Sequence, residues 1–99
     1  MKAKKPKGWG IIYDAVTGKP LRYAIARIFE TQFNKLLETQ VTDAHGRYAF
    51  LVGRNIYYVT FERAGYEKKK TARIDATRVP KATLIAENIG LKKQTPQTK

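Results

Sequence analysis

The feature that most constrains the fold is a two-residue alternation of side-chain character in short segments separated by turn residues. In IYYVTFER (56–63), for example, Tyr57, Val59 and Phe61 fall on one face of an extended chain. Seven short segments follow one another at a spacing of roughly 8–12 residues, which is typical of sandwiches and barrels. They are 9–14, 22–31, 34–42, 47–52, 56–63, 68–74 and 82–91. The sequence therefore predicts an all-β fold, a seven-stranded antiparallel β-sandwich, with a helix open as the alternative for the last segment.

One face of the alternating segments supplies the predicted core. Side chains on the facing sides of two packed sheets interdigitate, and 22–31, 47–52 and 56–63 are in phase for this. The segment 34–42 alternates similarly, whereas 68–74 is polar and is predicted to form an edge strand, because charged edges discourage pairing between sheets. The predicted core contains Ala24, Ala26, Ile28, Tyr48, Phe50, Tyr57, Val59 and Phe61.

The stretch VTDAHGRYAF (41–50) is interpreted as a β-hairpin, that is, a strand, a tight turn and a second strand. An Asp at the start of a turn caps backbone N–H groups with its carboxylate, which is the role expected of Asp43. Gly46 supplies the positive φ that most residues avoid. The reversal is predicted to place Val41 and Tyr48 in the same core.

The chain's charge is concentrated in its tails. With 99 residues it is long enough for one modest core, predicted at 9–91, between a basic lead-in (1–8) and a polar tail (92–99). The net charge is +12, from 20 basic and 8 acidic residues. Seven lysines lie outside the predicted domain, so 20 − 7 = 13 basic residues remain against 8 acidic ones, about +5. These lysines are Lys2, Lys4, Lys5, Lys7, Lys92, Lys93 and Lys99.

Three stretches in order, GIIYDAVTGKPLRYAIARIF, TQVTDAHGRYAFLV and NIYYVTFERAGY, resemble the carboxypeptidase regulatory-like domain. This group belongs to the broader transthyretin-like and collagen-adhesin B-type sandwiches, and the likeness covers about residues 8–75. The resemblance implies a transthyretin-like Greek key that serves as a non-catalytic accessory module. The matching residues are Gly10, Asp14, Thr17, Gly18, Pro20, Leu21, Ala24, Thr42, Asp43, Gly46, Tyr48, Phe50, Tyr57, Val59, Gly65 and Tyr66.

The residue types argue against catalysis, cofactors and metals. The chain contains no Cys and no Ser, which removes the commonest nucleophiles, disulfides and thiolate metal sites. Its one histidine, His45, lies in the predicted turn and is expected to face water, without a second histidine to share a metal. The hydroxyisourate hydrolases share the transthyretin architecture, but their C-terminal Tyr-Arg-Gly-Ser signature is absent here. The predicted first strand also lacks the lysine that an isopeptide crosslink needs.

The predicted function is that of an interaction module in a larger, prokaryotic protein. Ile25, Phe29 and Phe33 fall on the outward side of the second strand or its loop, and they form a candidate patch for a protein partner, a neighbouring domain or a second copy. The stretch KKPKGWG resembles a cytoplasmic juxtamembrane segment, so residues 2–7 are predicted to reach an anionic membrane surface, the alternative being a solubilising tail.

Nucleic acid is the runner-up partner. Basic residues cluster in 67–81, and nearby tyrosines offer stacking surfaces. Strand alternation, however, sends Lys68 and Lys70 to one side and Lys69 to the other, so the sequence predicts weak, non-specific binding. The candidate basic patch is Lys4, Lys5, Lys7, Lys68, Lys69, Lys70 and Arg73.

Overall fold

The computed structural model describes residues 8–95, and every regular element in that range is a β-strand. The strands are β1 (Gly10–Asp14), β2 (Ile25–Glu30), β3 (Lys35–Val41), β4 (Arg47–Tyr48), β5 (Phe50–Val52), β6 (Ile56–Glu62), β7 (Lys69–Lys70), β8 (Ile74–Asp75), β9 (Thr83–Ile85) and β10 (Ile89–Leu91). The all-β prediction is confirmed, and the helical alternative for 82–91 is wrong because two strands occupy that segment. Within residues 8–95 no helix could span a bilayer.

The larger sheet has the order β3-β2-β6, with β7 and β8 both pairing with the far side of β6. All of its pairs are antiparallel. On β6 the residues Tyr57, Val59 and Phe61 are buried while their neighbours are only partly so, which confirms the predicted facing. The predicted charged edge is also present, as the two short strands β7 and β8.

The second layer is built around β1. This strand pairs antiparallel with β4 on one side and parallel with β10 on the other. β5 and β9 pair with each other in a separate two-stranded sheet, and the residues that follow β9 lie against the start of β1 at Gly10. A Cβ at Gly10 would lie 2.4 Å from the Glu87 carbonyl oxygen, so this position requires glycine. The parallel β1–β10 pair corrects the prediction of a wholly antiparallel fold; these strands are distant in sequence, and no short hairpin fixes their direction.

The two layers enclose one apolar core. The Tyr48 ring, from the smaller layer, lies 5.4 Å from the Phe61 ring of the larger sheet in an edge-on arrangement. Tyr48 also lies 5.9 Å from Phe50. Full burial of side chains of this size contributes roughly 1.5–3 kcal/mol each. Except for Val41, all the predicted core residues are buried, together with Ile12, Leu21, Val52, Ala76, Ile85, Ile89 and Leu91.

The turn at 43–46 carries the chain between layers. The strands on its two sides do not pair with each other, since β3 pairs with β2 and β4 pairs with β1, so the predicted local hairpin is wrong. Val41 is also not in the core, because it is 58% exposed. Thr42 takes the inward position instead, where its Oγ1 accepts a 2.9 Å hydrogen bond from the Ala24 N–H.

The turn itself has the chemistry that its residues suggest. The Asp43 Oδ1 accepts hydrogen bonds from the backbone N–H groups of His45, at 2.9 Å, and Arg47, at 3.3 Å. Gly46 has φ +70°, and a Cβ there would lie 2.5 Å from the Ile12 carbonyl oxygen. His45 is exposed. The turn is therefore fixed by one carboxylate and by a glycine that no other residue replaces without strain.

The segment 47–52 is interrupted at Ala49 and is not one strand. The side-chain amide of Gln40 closes the interruption, since its Nε2 donates to the Ala49 carbonyl and its Oε1 accepts from the Ala49 N–H at 2.9 Å. The Gln40 side chain thus satisfies both backbone hydrogen-bonding groups of Ala49.

The start of the predicted polar tail is paired. The Lys92 carbonyl accepts from the Glu67 N–H at 2.8 Å, and the Gln94 N–H donates to the Gly65 carbonyl at 3.0 Å. The ordered ladder thus extends past residue 91, the predicted domain boundary.

Candidate interaction surface

An aromatic cluster lies on the outer face of the larger sheet. Phe29 on β2 and Tyr58 on β6 are register partners, and their rings stack with centroids 4.9 Å apart and an interplanar angle of 9°. Leu36, the β3 neighbour of Phe29, is 45% exposed. Phe29, Leu36 and Tyr58 are called the aromatic cluster below. The Lys70 Nζ lies 4.4 Å from the Tyr58 ring centroid, a cation–π contact that places a charge at its rim.

The three residues of the predicted patch do not form one continuous surface. Ile25 and Phe29 are partly buried on the outer face of β2, but Arg27 lies between them. The Arg27 Nη1 pairs with the Glu62 Oε1 at 3.1 Å across this face. The ion pair divides the predicted patch, because it leaves Ile25 at one end and the aromatic cluster at the other.

Phe33 lies in the turn between β2 and β3 and is 75% exposed. The buried Glu30 carboxylate holds this turn, since it accepts hydrogen bonds from the backbone N–H groups of Phe33, at 3.1 Å, and Lys35, at 3.2 Å. Asn34 completes the reversal with φ +52°. The turn therefore presents an apolar ring to solvent on a backbone fixed by a carboxylate.

A polar cleft of about 310 Å³ borders the aromatic cluster at Tyr58. Lys70 and Arg73 supply its positive charge, and the Tyr58 hydroxyl donates to the Asn34 Oδ1 at 3.3 Å. The lining residues are Thr31, Asn34, Tyr58, Lys70, Thr71 and Arg73. Two cations that line one polar cleft suit an anionic or acidic ligand.

The predicted basic patch is split between two faces. Lys69 and Lys70 are adjacent on β7, so their side chains leave the sheet on opposite sides. The Lys69 Nζ donates to the Gly90 carbonyl of the other layer at 3.4 Å, while Lys70 reaches Tyr58 on the outer face. Lys68 is exposed beside them. The remaining members of the patch, Lys4, Lys5 and Lys7, lie outside the described residues.

A second cleft, of about 470 Å³, opens where β1 enters its sheet. Trp9 lines it, and the Arg47 guanidinium lies 5.1 Å from the Trp9 ring. Asp43 holds that guanidinium with an Nη2–Oδ2 distance of 2.8 Å. Hydrogen bonds from Arg47 and from the turn lower the pKa of Asp43 to about 2. This carboxylate is therefore fixed as an anion by the turn that it caps.

Asp14 is the second strongly perturbed carboxylate. Its backbone hydrogen bond from Thr17, the side-chain hydrogen bond from Tyr66 and the backbone hydrogen bond from Val16 lower its pKa to about 2. The Tyr66 hydroxyl donates to the Asp14 Oδ2 at 2.7 Å, and this bond raises the pKa of Tyr66. The pair links loops that are 52 residues apart in sequence. Among residues 8–95 no three His, Cys, Asp or Glu side chains group as a metal site.

The sequence interpretation missed the apolar exposure along β3. Leu37 is 47% exposed, and with Leu36 and Val41 it gives this strand a row of apolar side chains in water. The available signal was weak, because KLLETQV looks like an ordinary alternating strand and its exposure depends on its place at the end of the sheet order.

Comparisons of the chain with protein-family models, curated proteins and solved structures found no match. The resemblance to carboxypeptidase regulatory-like domains therefore stays a prediction from the sequence.

Proposed function

We propose that this chain is a non-catalytic interaction module of a larger protein, and that its aromatic cluster binds a protein partner or a neighbouring domain. For the fold we propose the seven-stranded transthyretin-like Greek key of carboxypeptidase regulatory-like domains. Support comes from the three interrupted pairs β4–β5, β7–β8 and β9–β10, because counting each as one strand turns ten strands into 10 − 3 = 7.

The observation that carries the functional proposal is the stack of Phe29 on Tyr58 beside the exposed Leu36. Interface centres are enriched in aromatic residues that present a large, rigid area at little cost in side-chain entropy. Stacking and strand pairing restrict both rings before any partner arrives. The cluster is thus a preorganised apolar anchor site on an otherwise strongly basic chain.

The charges around the cluster indicate the chemistry of the partner. Lys70 and Arg73 border the cluster, and Lys35 follows the adjoining turn. A partner that inserts an apolar or aromatic side chain beside Leu36 and Tyr58, with carboxylates around it, complements this arrangement. Complementary charges of this kind speed association and fix orientation.

Selection of peptide ligands tests the proposal. A random peptide library displayed on phage is selected on the wild-type chain, and binding is then measured for Leu36→Ser/Tyr58→Ser. The matched control is Leu51→Ser, which also removes an exposed leucine but from the other layer. We expect acidic, aromatic-containing peptides that lose at least about tenfold in affinity only with the double variant. Peptides that bind both variants equally would contradict the proposed site.

The second candidate function is non-specific binding of single-stranded nucleic acid. It is favoured by the cleft beside Tyr58, where Lys70 and Arg73 lie together, since neighbouring cations contact the phosphates of a strand. Fluorescence polarisation with a labelled oligonucleotide tests it at two salt concentrations. An affinity that barely changes with salt rules out phosphate contacts. An affinity unchanged in Lys70→Ala/Arg73→Ala excludes the cleft as the site.

Contact with an anionic membrane through residues 2–7 is also a proposal. It concerns residues outside the described range and stands on the lysines that precede Trp9. Co-sedimentation with phosphatidylserine vesicles, with and without residues 1–7, tests it, and equal binding of the two chains would end the idea.

A further inference from the structure

The outer edge of β3 is open. This strand ends the sheet order, and among residues 8–95 its one ladder partner is β2. At seven residues it equals β6 in length, and three of its exposed side chains are apolar: Leu36, Leu37 and Val41. A long apolar edge is a template for another strand unless something covers it.

The backbone pattern shows which groups face outward. The Thr42 N–H donates to the Ala24 carbonyl at 2.9 Å, so Thr42 is hydrogen-bonded toward β2. In an antiparallel ladder such residues alternate with residues whose N–H and C=O point the other way. Thr39 and Val41 therefore direct their backbone groups away from β2. A strand that docks on this edge forms hydrogen bonds to these two residues.

The side chains of this edge complement those of the same strand in reversed direction. When Thr39 lies opposite Thr39 of a second copy, Leu37 lies opposite Val41. In the same register Glu38 lies opposite the neutral Gln40. Apolar residues thus meet apolar ones and no like charges lie opposite each other, which is the favourable arrangement of cross-strand pairs.

Neighbouring two-fold registers lack this match. A register centred on Glu38 places two carboxylates directly opposite each other, which is destabilising. A register centred on Gln40 places Val41 opposite Thr39, and the apolar pair of Leu37 with Val41 is lost. The register centred on Thr39 is therefore favoured over both neighbours.

We propose that a second copy of this chain binds along the outer edge of β3, in an antiparallel register centred on Thr39. The two larger sheets then join into one continuous sheet across a two-fold axis. This contact uses backbone groups and does not depend on the aromatic cluster, so it goes beyond the proposed function. The register shift near Leu37 shortens the regular part of the pair, and the contact area is smaller than the about 1,600 Å² of standard interfaces. The dimer is accordingly in equilibrium with monomer.

Charge gives the dimer a distinctive salt dependence. Each copy carries +12, so two copies repel at long range, whereas the stretch 35–43 carries one positive and two negative residues, a net −1. Salt screens the long-range repulsion within a Debye length of about 8 Å at 0.15 M, compared with about 30 Å at 0.01 M. Self-association therefore strengthens over this range of salt, opposite to the weakening expected for binding to phosphate.

Sedimentation equilibrium of charge variants tests the contact and its register together. In the proposed register Thr39→Lys places two cations opposite each other, and Thr39→Glu places two anions there. We expect wild type to approach twice the 11.3 kDa chain mass with rising concentration and each variant to stay monomeric. An equal mixture of the two variants should regain dimer, because unlike charges then face each other across the axis.

Matched controls lie on the opposite edge of the same sheet. Ala72→Lys and Ala72→Glu make similar charge changes at an exposed position between β7 and β8, and these should dimerise like wild type. Circular dichroism verifies that all variants are folded. A wild-type chain that stays monomeric up to roughly 1 mM overturns the proposal, as does a mixture that stays monomeric. Dimers that persist in Thr39→Lys but dissociate in Leu36→Ser/Tyr58→Ser would assign self-association to the aromatic cluster instead.

Discussion

The two edges of the larger sheet differ in strand length, polarity and charge. One edge is β3, which is continuous for seven residues, apolar in part and close to neutral. The other is divided into β7 and β8, two residues each, and carries Lys69 and Lys70. Between these pieces Thr71 completes the ladder, since its Oγ1 accepts from the Val59 N–H at 3.0 Å. The second edge has the features that prevent strand addition, and the first does not.

The two edges therefore differ in whether a further strand can pair with them. The β7–β8 edge has short strands, lysines and a side chain in place of backbone groups, so it presents few backbone hydrogen-bonding groups to a partner strand. The β3 edge keeps its outward N–H and C=O groups beside exposed aliphatic side chains. The sheet is thus asymmetric, and its unprotected side is the side where a partner strand is expected.

The largest expected effect tests the facing of the strand that separates the two edges. Phe61 lies on β6, between the two edges, and contacts the Tyr48 ring of the other layer. Phe61→Ala should lower the free energy of unfolding by about 3–5 kcal/mol, measured by urea denaturation. The exposed Phe33→Ala should change it by less than about 0.5 kcal/mol. Equal effects would contradict the assigned facing of the sheet.

The next effect concerns the turn that takes the chain from β3 to the other layer. Gly46→Ala forces a side chain into φ +70° and toward the Ile12 carbonyl. We expect a loss of about 1–3 kcal/mol from the backbone conformation alone, measured by thermal or urea unfolding. Gly53→Ala is the matched control, because its Cβ would meet only the Lys81 carbonyl oxygen at 3.9 Å. A neutral Gly46→Ala would show that this turn relaxes.

A lysine on β3, like the lysines on β7, should weaken the pairing of β3 with a second copy. Leu37 is partly exposed, so Leu37→Lys should change the free energy of unfolding by less than about 0.5 kcal/mol. The association constant for dimerisation should nevertheless fall at least about tenfold, because each lysine replaces the apolar partner of Val41 on the second copy. Sedimentation velocity measures the second quantity and denaturation the first. A parallel fall in both would indicate damage to the sheet.

The reverse exchange should have a smaller effect. Lys68→Leu/Lys70→Leu gives the β7 edge apolar side chains. Thr39→Lys in the same chain prevents dimerisation through β3. We expect weak self-association to appear in this triple variant and not in Thr39→Lys alone. The effect is limited because β7 has only two residues. A strictly monomeric triple variant would show that strand length, and not charge, protects this edge.

The smallest expected effect is on acid stability. The pKa of Asp43, beside β3, is lowered to about 2 from 3.8, and that of Asp75, on β8, is also lowered, mainly by the Thr77 hydroxyl. Because the folded state has the lower pKa, ionised Asp43 stabilises the fold above about pH 4, and this stabilisation is lost as the pH falls toward about 2. Urea midpoints measured at several pH values for wild type and Asp43→Asn should differ above this window and converge below it.

Local pattern predicted the parts of the fold in which burial follows from alternation. On β2 and β6 every second residue faces the core because other strands flank both sides and a layer covers one face. The capping role of Asp43 and the positive φ of Gly46 could also be predicted from the sequence, since both depend only on neighbouring residues.

The rest depended on strand order, which local pattern does not contain. The exposure of β3 and the layer change at 43–46 follow from which strands become neighbours. So do the parallel β1–β10 pair and the hydrogen bond between Tyr66 and Asp14. The aromatic cluster was half predicted: Phe29 was in the patch, but its partner Tyr58 is 29 residues later and meets it only through the β2–β6 register.

The parallel pairing of β1 with β10 has a mechanical consequence. Ile12 lies beside Ile89 and Asp14 beside Leu91, so the two strands run in the same direction. Tension applied to the chain before β1 and after β10 pulls these strands past each other lengthwise. The backbone hydrogen bonds between the two strands then bear the load together, and they do not break one after another. A tether attached through both ends would resist stretching until this pair slips.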